Sequence, residues 1–328
     1  MLNLTEEFVS RELSMAIVLE LVERAFAADA RGDAVTFPAI VDHVGSARAH
    51  FGIKSGFLRL PAENRGVQEV LGLKAGGYWM LNQERYGLPS HRATMLLIDP
   101  ENGGPLAVVS ANTITRMRTA AAGAIAARHL AREGSRTVTI LGTGEQAHAQ
   151  LEALRLVRPI TEVFVRGRTQ EAMNRYISVW REAGLAVTAA TDLAGCVARS
   201  DIIVTTTPAT SPVLMSAWVR PGAHVNAVGS DGAGKKELDP QLVRRSKFVA
   251  DKASQSLTIG ELQGVPSRDD GRDLLYAELG EICAGAKRGR EDDAEITVFD
   301  SSGVSFQDLV VANYLVNRAS GRTEGAAV

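Results

Sequence analysis

The segment "TVTILGTGEQAHAQLEAL", residues 137–154, constrains the fold of this chain more than any other. A short β-branched, apolar run leads into a glycine turn and then into apolar residues at helical spacing, which reads as a buried strand, a tight turn and a helix. The turn "LGTGEQA" has the form G-x-G-x-x-A, with Gly142, Gly144 and Ala147. The first glycine permits the turn, the second lets backbone approach a pyrophosphate, and the small third residue lets helix and strand pack closely. The helix offers its first N–H groups and its positive dipole end to phosphates. The pattern predicts a dinucleotide-binding unit. Residues 1–136 precede it, so the chain must place something else first.

Downstream, "EVFVRGR", "DIIVTTTPA", "AHVNAVGSD" and "FVADK" read as further buried strands, separated by helical stretches such as "TQEAMNRYISVWREAG". Strands alternating with helices predict an α/β fold, a doubly wound parallel sheet. Upstream the texture differs. "EEFVSRELSMAIVLELVERAFAADARGD" carries apolar residues at helical spacing up to a glycine stop. "VTFPAIVDHV", "AHFGIKSGFLRL", "VLGLKAGGYWML" and "RATMLLIDPENGGPLAVVSA" read as antiparallel strands and hairpins, with a turn at "DPENGGP". "TRMRTAAAGAIAARHLAR" is an alanine-rich helix with Thr115 or Thr119 placed to cap it. The final "EITVFDSSGVSFQDLVVANYLVNRAS" reads as a strand, a turn and a long helix that returns to the first domain. The expected division is 1–118 with 305–328 as an α+β domain and 119–304 as the Rossmann domain.

Composition excludes several classes of function. A formal net charge of −2 leaves no basic excess for a phosphate backbone, so nucleic acid is not an expected partner. No run approaches the roughly eighteen apolar residues that a membrane span needs. The start "MLNLTEEFVSREL" meets charge too early for a secretory signal. The two cysteines, Cys196 and Cys283, lie far apart in no CxxC pattern, which points to a reducing compartment, the cytoplasm. The histidines (His43, His50, His91, His129, His148, His224) show no ligand spacing, and no metal site is expected.

The end of the second Rossmann strand bears on cofactor choice. An acid there would bind the ribose 2′-hydroxyl of NAD. Here "FVRGRTQ" offers Arg166, Arg168 and Thr169, two guanidiniums and a hydroxyl that suit a 2′-phosphate. This favours NADP(H), with NAD(H) as the alternative. Thr205, Thr206 and Thr207 follow another strand at the edge where ligands of such sheets sit, and are expected to line the dinucleotide.

Three residues have the types needed for chemistry on an amino or imino acid. Lys74 lies inside an apolar strand beside glycines, Arg118 is expected at a helix start whose dipole would also attract a carboxylate, and Asp231 follows a strand in a glycine-rich loop. Each alone reads equally as an edge charge or a turn former.

In order, "RTAAAGAIAARHLA", "LGTGEQA", "GSDGAGKKELDP", "GE" at Gly260–Glu261 and "DSSGVSFQDL" resemble the ornithine cyclodeaminase/mu-crystallin family over nearly the whole chain. The resemblance implies a discontinuous substrate-binding and dimerisation domain, a Rossmann domain and a homodimer. It implies that Lys74 and Arg118 hold a substrate carboxylate and that Asp231 handles protons at the amine carbon. It further implies that Ser90, Arg118, Thr119, Glu145, Gln146, Asn226, Val228 and Ser301 lie near the cofactor and Ser302 near the substrate. In the family's cyclodeaminases an arginine tends to follow the proline of "FPAIVDHVG"; here Val41 stands at about that place, while Lys54 could supply a cation from a neighbouring strand.

Within the family, "FGIKSGF", "LGLKAGGYW" and "GKKELDP" are most similar to iminosuccinate reductase-like members, which act on a small dicarboxylic imine. Lys54 and Arg92, with His91, would suit a second carboxylate. The expectation is an NAD(P)H-dependent reductase of small 2-imino acids, delivering hydride to the α-carbon. The alternatives are a cyclodeaminase-type lyase with bound NAD and a non-catalytic NADP-binding protein of the crystallin type.

Overall fold

The computed structural model of the protein describes residues 1–45, 49–62, 66–269 and 271–321. The chain divides into two compact units: Met1–Arg118 together with the segment from Val304 onward, and Thr119–Gly303. Of the expected domain segment 305–328, residues 322–328 lie outside the described residues.

The first unit opens on β1 (Leu2–Leu4), α1 (Glu6–Glu12) and α2 (Met15–Ala30). The single helical pattern seen in the sequence is broken because Ser14 takes an extended conformation and its hydroxyl accepts the N–H of Ile17, an N-cap that starts a new helix. Then come β2 (Ala34–Thr36), β3 (Ile40–His43), β4 (Ala49–Ala62), β5 (Gly66–Trp79), α3 (Asn82–Tyr86), β6 (His91–Ile98) and β7 (Pro105–Ser110). Among the described residues they form one sheet in the order β1-β7-β6-β5-β4-β2, with β3 also on β4. β4 and β5 are longer than the sequence suggests, pairing antiparallel from Ala49↔Trp79 to Ala62↔Gly66. The turn at "DPENGGP" forms as expected, with Asp99 N–H bonded to Gly104 O.

α4 (Asn112–Leu130) contains the division between the units. It begins a turn earlier than the sequence suggests, so Thr115 and Thr119 lie inside it and not at the expected start. Arg118 accordingly sits in the second turn, where the dipole of the helix N-terminus has largely faded.

The second unit contains β8 (Thr137–Leu141), α5 (Glu145–Val157), β9 (Glu162–Arg166), α6 (Gln170–Glu182), β10 (Ala186–Ala189), α7 (Leu193–Arg199), β11 (Ile202–Thr205), β12 (Thr210–Leu214), β13 (His224–Ala227), β14 (Lys236–Leu238), α8 (Pro240–Arg244), β15 (Lys247–Ala250), α9 (Ala253–Ser256), β16 (Leu275–Glu278), α10 (Leu279–Cys283) and β17 (Thr297–Asp300). The expected doubly wound sheet is present: every pairing along β10-β9-β8-β11-β13-β17-β15-β16 is parallel. Its strands bury both faces. Val138 and Ile140 pack with Leu151, Val163, Tyr176 and Trp180 in one core cluster. Leu141, Ile203, Val225 and Phe248 pack in the other.

After β17 the chain enters α11 (Ser305–Ala319), which belongs to the first unit. Gly56 of β4 and Gly72 of β5 face each other across the strands. A Cβ at Gly56 would overlap the Ser305 hydroxyl, and one at Gly72 would lie 3.0 Å from Leu309 Cδ2. Ser305 and Leu309 are one helical turn apart, so this bare glycine pair lets α11 lie close upon the sheet. Phe26 of α2 meets Phe306 edge-on, with centroids 5.3 Å apart, on the same helix.

Candidate active site

In the second unit, Gly142 has φ +126°, and a Cβ there would overlap the Thr206 hydroxyl. Only glycine fits both demands. The contact joins the turn after β8 to the turn after β11, the two neighbouring strands from which the sheet winds in opposite directions. That switch point is where doubly wound sheets bind ligands. α5 opens on Gly144 without a side-chain cap, whereas α6, α7 and α8 are capped by Thr169, Asp192 and Asp239. The first-turn N–H groups of α5 therefore present the anion-binding arrangement a pyrophosphate needs, and the residues fit a dinucleotide. Ala147 is fully buried as the close-packing position requires. Glu145 is exposed in that first turn and Gln146 is half-buried.

Arg166 and Arg168 are exposed at the end of β9. A Cβ at Gly167 between them would lie 2.7 Å from Thr143 Cγ2, so this turn rests directly against the glycine turn. Of the expected 2′-phosphate set, Thr169 is already engaged: its hydroxyl accepts Ala172 N–H as the α6 cap.

The threonines at the end of β11 and just beyond it bond to the protein itself. Thr205 donates its hydroxyl to Glu237 Oε2 at 2.6 Å, and Thr207 gives Glu237 Oε1 both its N–H (2.6 Å) and its hydroxyl (2.7 Å). Thr206 bonds Leu141 O at 3.3 Å. The Thr205 and Thr207 hydroxyls are spent on a buried carboxylate, which attracts donors within reach, and the Thr206 hydroxyl on backbone. Asn226 is likewise committed: His224 Nε2 donates to its Oδ1 and its amide donates to Gly123 O, both at 2.9 Å. Burial drives His224 down to about 3, so it is neutral. Ser302 donates to Asp251 at 3.0 Å. Val228 and Ser301 pair by backbone N–H with Thr205 O and Ala227 O, and Thr119 O accepts from Gln150.

Sequence reasoning assigned no role to three buried acids of this unit. Glu237 accepts from Gly229 N–H (2.7 Å) as well as from the threonines, and burial raises its pKa despite these donors. Burial also raises Glu261 to about 7, against the N–H groups of Glu237 and Leu238 that it accepts. Asp300 is pushed well above the carboxylate range by burial and then by the neighbouring Glu261 charge. The available signal was an acid within a strand-like run, the glutamate of "KKELD". Asp231 lies on the loop between β13 and β14, half-exposed, 2.5 Å from Lys235 Nζ.

In the first unit, Lys74 and Arg118 do come together. Lys74 Nζ lies 2.9 and 2.8 Å from the two oxygens of Asp308 and 3.3 Å from the Thr115 hydroxyl. Arg118 donates Nε to Asp308 Oδ1 (3.1 Å) and Nη1 to Gln307 Oε1 (2.8 Å). Lys54 stands opposite Lys74 in the β4–β5 register. Burial and then the charges of Arg118 and Lys54 lower Lys74 to about 7, opposed by Asp308. For Asp308, burial would raise the pKa, but Arg118, Lys74 and Lys54 together hold it below the ordinary carboxylate range. Such a set of cations, with Lys74 and Arg118 buried and Lys54 partly so, is suited to gripping an anion.

Arg92, also expected at the substrate, is placed differently. Arg92 pairs with Gly77 while Met95 pairs with Lys74. Side chains alternate along β6, so Arg92 points to the opposite face of the sheet from Lys74; His91 shares the Lys74 face. Val41 is exposed on β3. Ser90 is half-buried at the entry to β6, its carbonyl accepting Trp79 N–H. Asp308 and Gln307 went unassigned in the sequence; their signal was an adjacent polar pair set directly before the apolar run Leu309–Ala312.

The geometry defines a two-unit α/β protein with a Rossmann dinucleotide site and a buried cation cluster on a separate α+β unit. The profile of the ornithine cyclodeaminase/mu-crystallin family matches residues 1–323, and the chain belongs to that family. It is 38% identical to the alanine dehydrogenase of Archaeoglobus fulgidus over 100% of this chain and 98% of that protein. It is 37% identical to the iminosuccinate reductase of Paracoccus denitrificans over 97% of each. The crystal structure of that reductase with NAD+ matches with a TM-score of 0.87 over 98% of each chain. Thermococcus litoralis Δ1-pyrroline-2-carboxylate reductase, solved with NADH and L-proline, matches with a TM-score of 0.88 at 32% identity over 98% of each. An archaeal alanine dehydrogenase dimer with bound NAD also matches with 0.88, at 36% identity, over 98% of this chain and 97% of that one. These relatives are oxidoreductases by name. Among the described residues, no helix is long and apolar enough to cross a membrane.

Proposed function

We propose that this protein is an NAD(P)H-dependent reductase of small 2-imino acids, with a dicarboxylic imine such as iminosuccinate as its preferred class of substrate. The observation that carries the reading is the meeting of Lys74 and Arg118 on Asp308, with Lys54 directly opposite Lys74 in the strand register. Lys74 and Arg118 would hold the α-carboxylate, and Lys54, directly across the strand, would meet a second one. The names of its relatives support imine chemistry.

The glycine turn and the uncapped start of α5 would hold the dinucleotide, which when bound supplies hydride for the α-carbon. The chain's own part is orientation and charge. Asp231 would stabilise the iminium cation and exchange protons with its nitrogen. Arg166 and Arg168 favour NADP(H), although the solved relatives carry NAD or NADH. The first unit would serve substrate binding and dimerisation. Its β3 is exposed throughout, with Ile40 62% and Val41 57% exposed, as a surface covered by a second copy would be. A chain with two cysteines and no disulfide among the described residues suits the cytoplasm.

The test is nicotinamide absorbance with oxaloacetate plus ammonium, pyruvate plus ammonium, or a cyclic ketimine. Oxidation of NADPH or NADH, fastest with the dicarboxylic pair, is expected. No oxidation, but ammonia release from ornithine, would instead identify a cyclodeaminase; tight NADPH binding without turnover would identify a binding protein.

A further inference from the structure

We propose that Asp308 is the positioning residue of the carboxylate-holding pair, fixing Lys74 and Arg118 side by side and keeping the Lys74 ammonium charged. The inference rests on the reading of Lys74 and Arg118 as substrate anchors and assigns what governs them.

The geometry comes from α11. The glycine pair Gly56 and Gly72 lets the helix settle on the sheet. Lys74 is two residues beyond Gly72 on the same face of β5, beneath the first turn of α11. Asp308 spans both cations there, and Gln307 takes a second edge of Arg118. The guanidinium has only donors, so the Gln307 amide must turn its oxygen toward it. Two consecutive residues of one helix thus set both the place and the plane of Arg118.

The charges around Lys74 explain the second role. β4 presents Lys54, α4 presents Arg118 and the Thr115 hydroxyl, β6 presents the apolar Met95, and α11 presents Asp308. Among these described residues, Asp308 alone is negative. Without its charge, a nearly buried ammonium would face two like charges, and a buried amine in that position sheds its proton. A neutral Lys74 would no longer attract a carboxylate. Asp308 is itself 1% exposed, against 8% for Lys74 and 5% for Arg118, so it acts through the cations and not on the ligand.

The experiment compares the full-length protein with Asp308→Asn, Lys74→Gln and the double variant. KM and kcat are measured from pH 5.5 to 9 with oxaloacetate or pyruvate plus ammonium. In parallel, the pH dependence of Lys74 modification by an amine-directed reagent is read by peptide mass spectrometry. In the wild type, KM should climb above about pH 7. In Asp308→Asn the climb and the modification midpoint should both move about one pH unit or more lower, so that near pH 7.5 KM is about tenfold higher while kcat changes less. Lys74→Gln should flatten the profile, and Asp308→Asn should then add no pH dependence. Asp308→Glu, which keeps the charge, should keep the wild-type midpoint and covers the case in which the asparagine variant fails to fold. An Asp308→Asn protein with an unmoved modification midpoint, or an Asp308→Glu protein with a displaced one, overturns the proposal. Should Lys74→Gln leave KM unaltered, the substrate reading fails instead, while the modification arm still decides what Asp308 does to Lys74.

Discussion

Lys54 and Lys74 stand directly across from one another on β4 and β5. Like charges at such a position destabilise a sheet, and here the Asp308 carboxylate bonded to Lys74 offsets them; the proposed function gives the pair a substrate anion as well. Lys54→Gln should raise KM for oxaloacetate plus ammonium roughly tenfold, the worth of about one charge-assisted contact, while KM for pyruvate plus ammonium changes less than about twofold. Equal changes for both substrates would refute a second-carboxylate role. The same substitution bears on stability. With Lys74 lowered from 10.5 to about 7, the unfolded chain binds more protons between those values. This group's contribution to stability therefore rises with pH across that window. Removing Lys54 lifts the Lys74 pKa and should raise the apo melting temperature near pH 7, measured by calorimetry.

Asp231, for which we propose the proton-handling role, stands at a half-exposed loop position, paired with Lys235. Asp231→Asn should lower kcat by about a hundredfold or more, the range for loss of a general acid–base group, with NADPH affinity nearly normal by fluorescence titration. A collapse of affinity would mean the residue serves the cofactor.

Arg168 flanks the glycine turn through the Gly167–Thr143 contact. Arg168→Ala should weaken NADPH binding by roughly tenfold or more and leave NADH within about twofold, because only the former has a 2′-phosphate to lose. Equal losses would show that no such contact exists.

Glu237 cannot be replaced by its amide isostere. Oε1 accepts Thr207 N–H and Oε2 accepts Gly229 N–H, and neither backbone donor can turn around. Whichever way a glutamine amide rotates, its NH2 meets a backbone N–H. Glu237→Gln should cost about 1–3 kcal/mol in denaturant unfolding, the range for an unsatisfied buried donor. Unchanged stability would mean that these two backbone bonds are not formed together in solution.

Ile40 and Val41 lie on the exposed strand β3. Ile40→Lys should shift a dimer toward monomer in analytical ultracentrifugation, since a charge buried in an apolar interface is costly. A wild-type monomer would refute the dimer, and a dimer indifferent to this change would place the interface elsewhere.

The sequence by itself determined the doubly wound sheet and the switch-point turn at Gly142, because strand, turn and helix there are dictated by neighbours a few residues apart. It also singled out Lys74 and Arg118 by type. It misjudged where α4 begins, since an alanine-rich helix carries no sharp start signal, and it could not see that Ser14 would cap a second helix. Tertiary structure alone decided the partners of the charges. Asp308 meets Lys74 across 234 residues of chain, and Glu237 gathers Thr205, Thr207 and Gly229 from separate turns. Periodicity reports which face of an element is buried, but which buried donor meets which acceptor depends on packing between distant segments, as where α11 settles over two facing glycines beside Lys74.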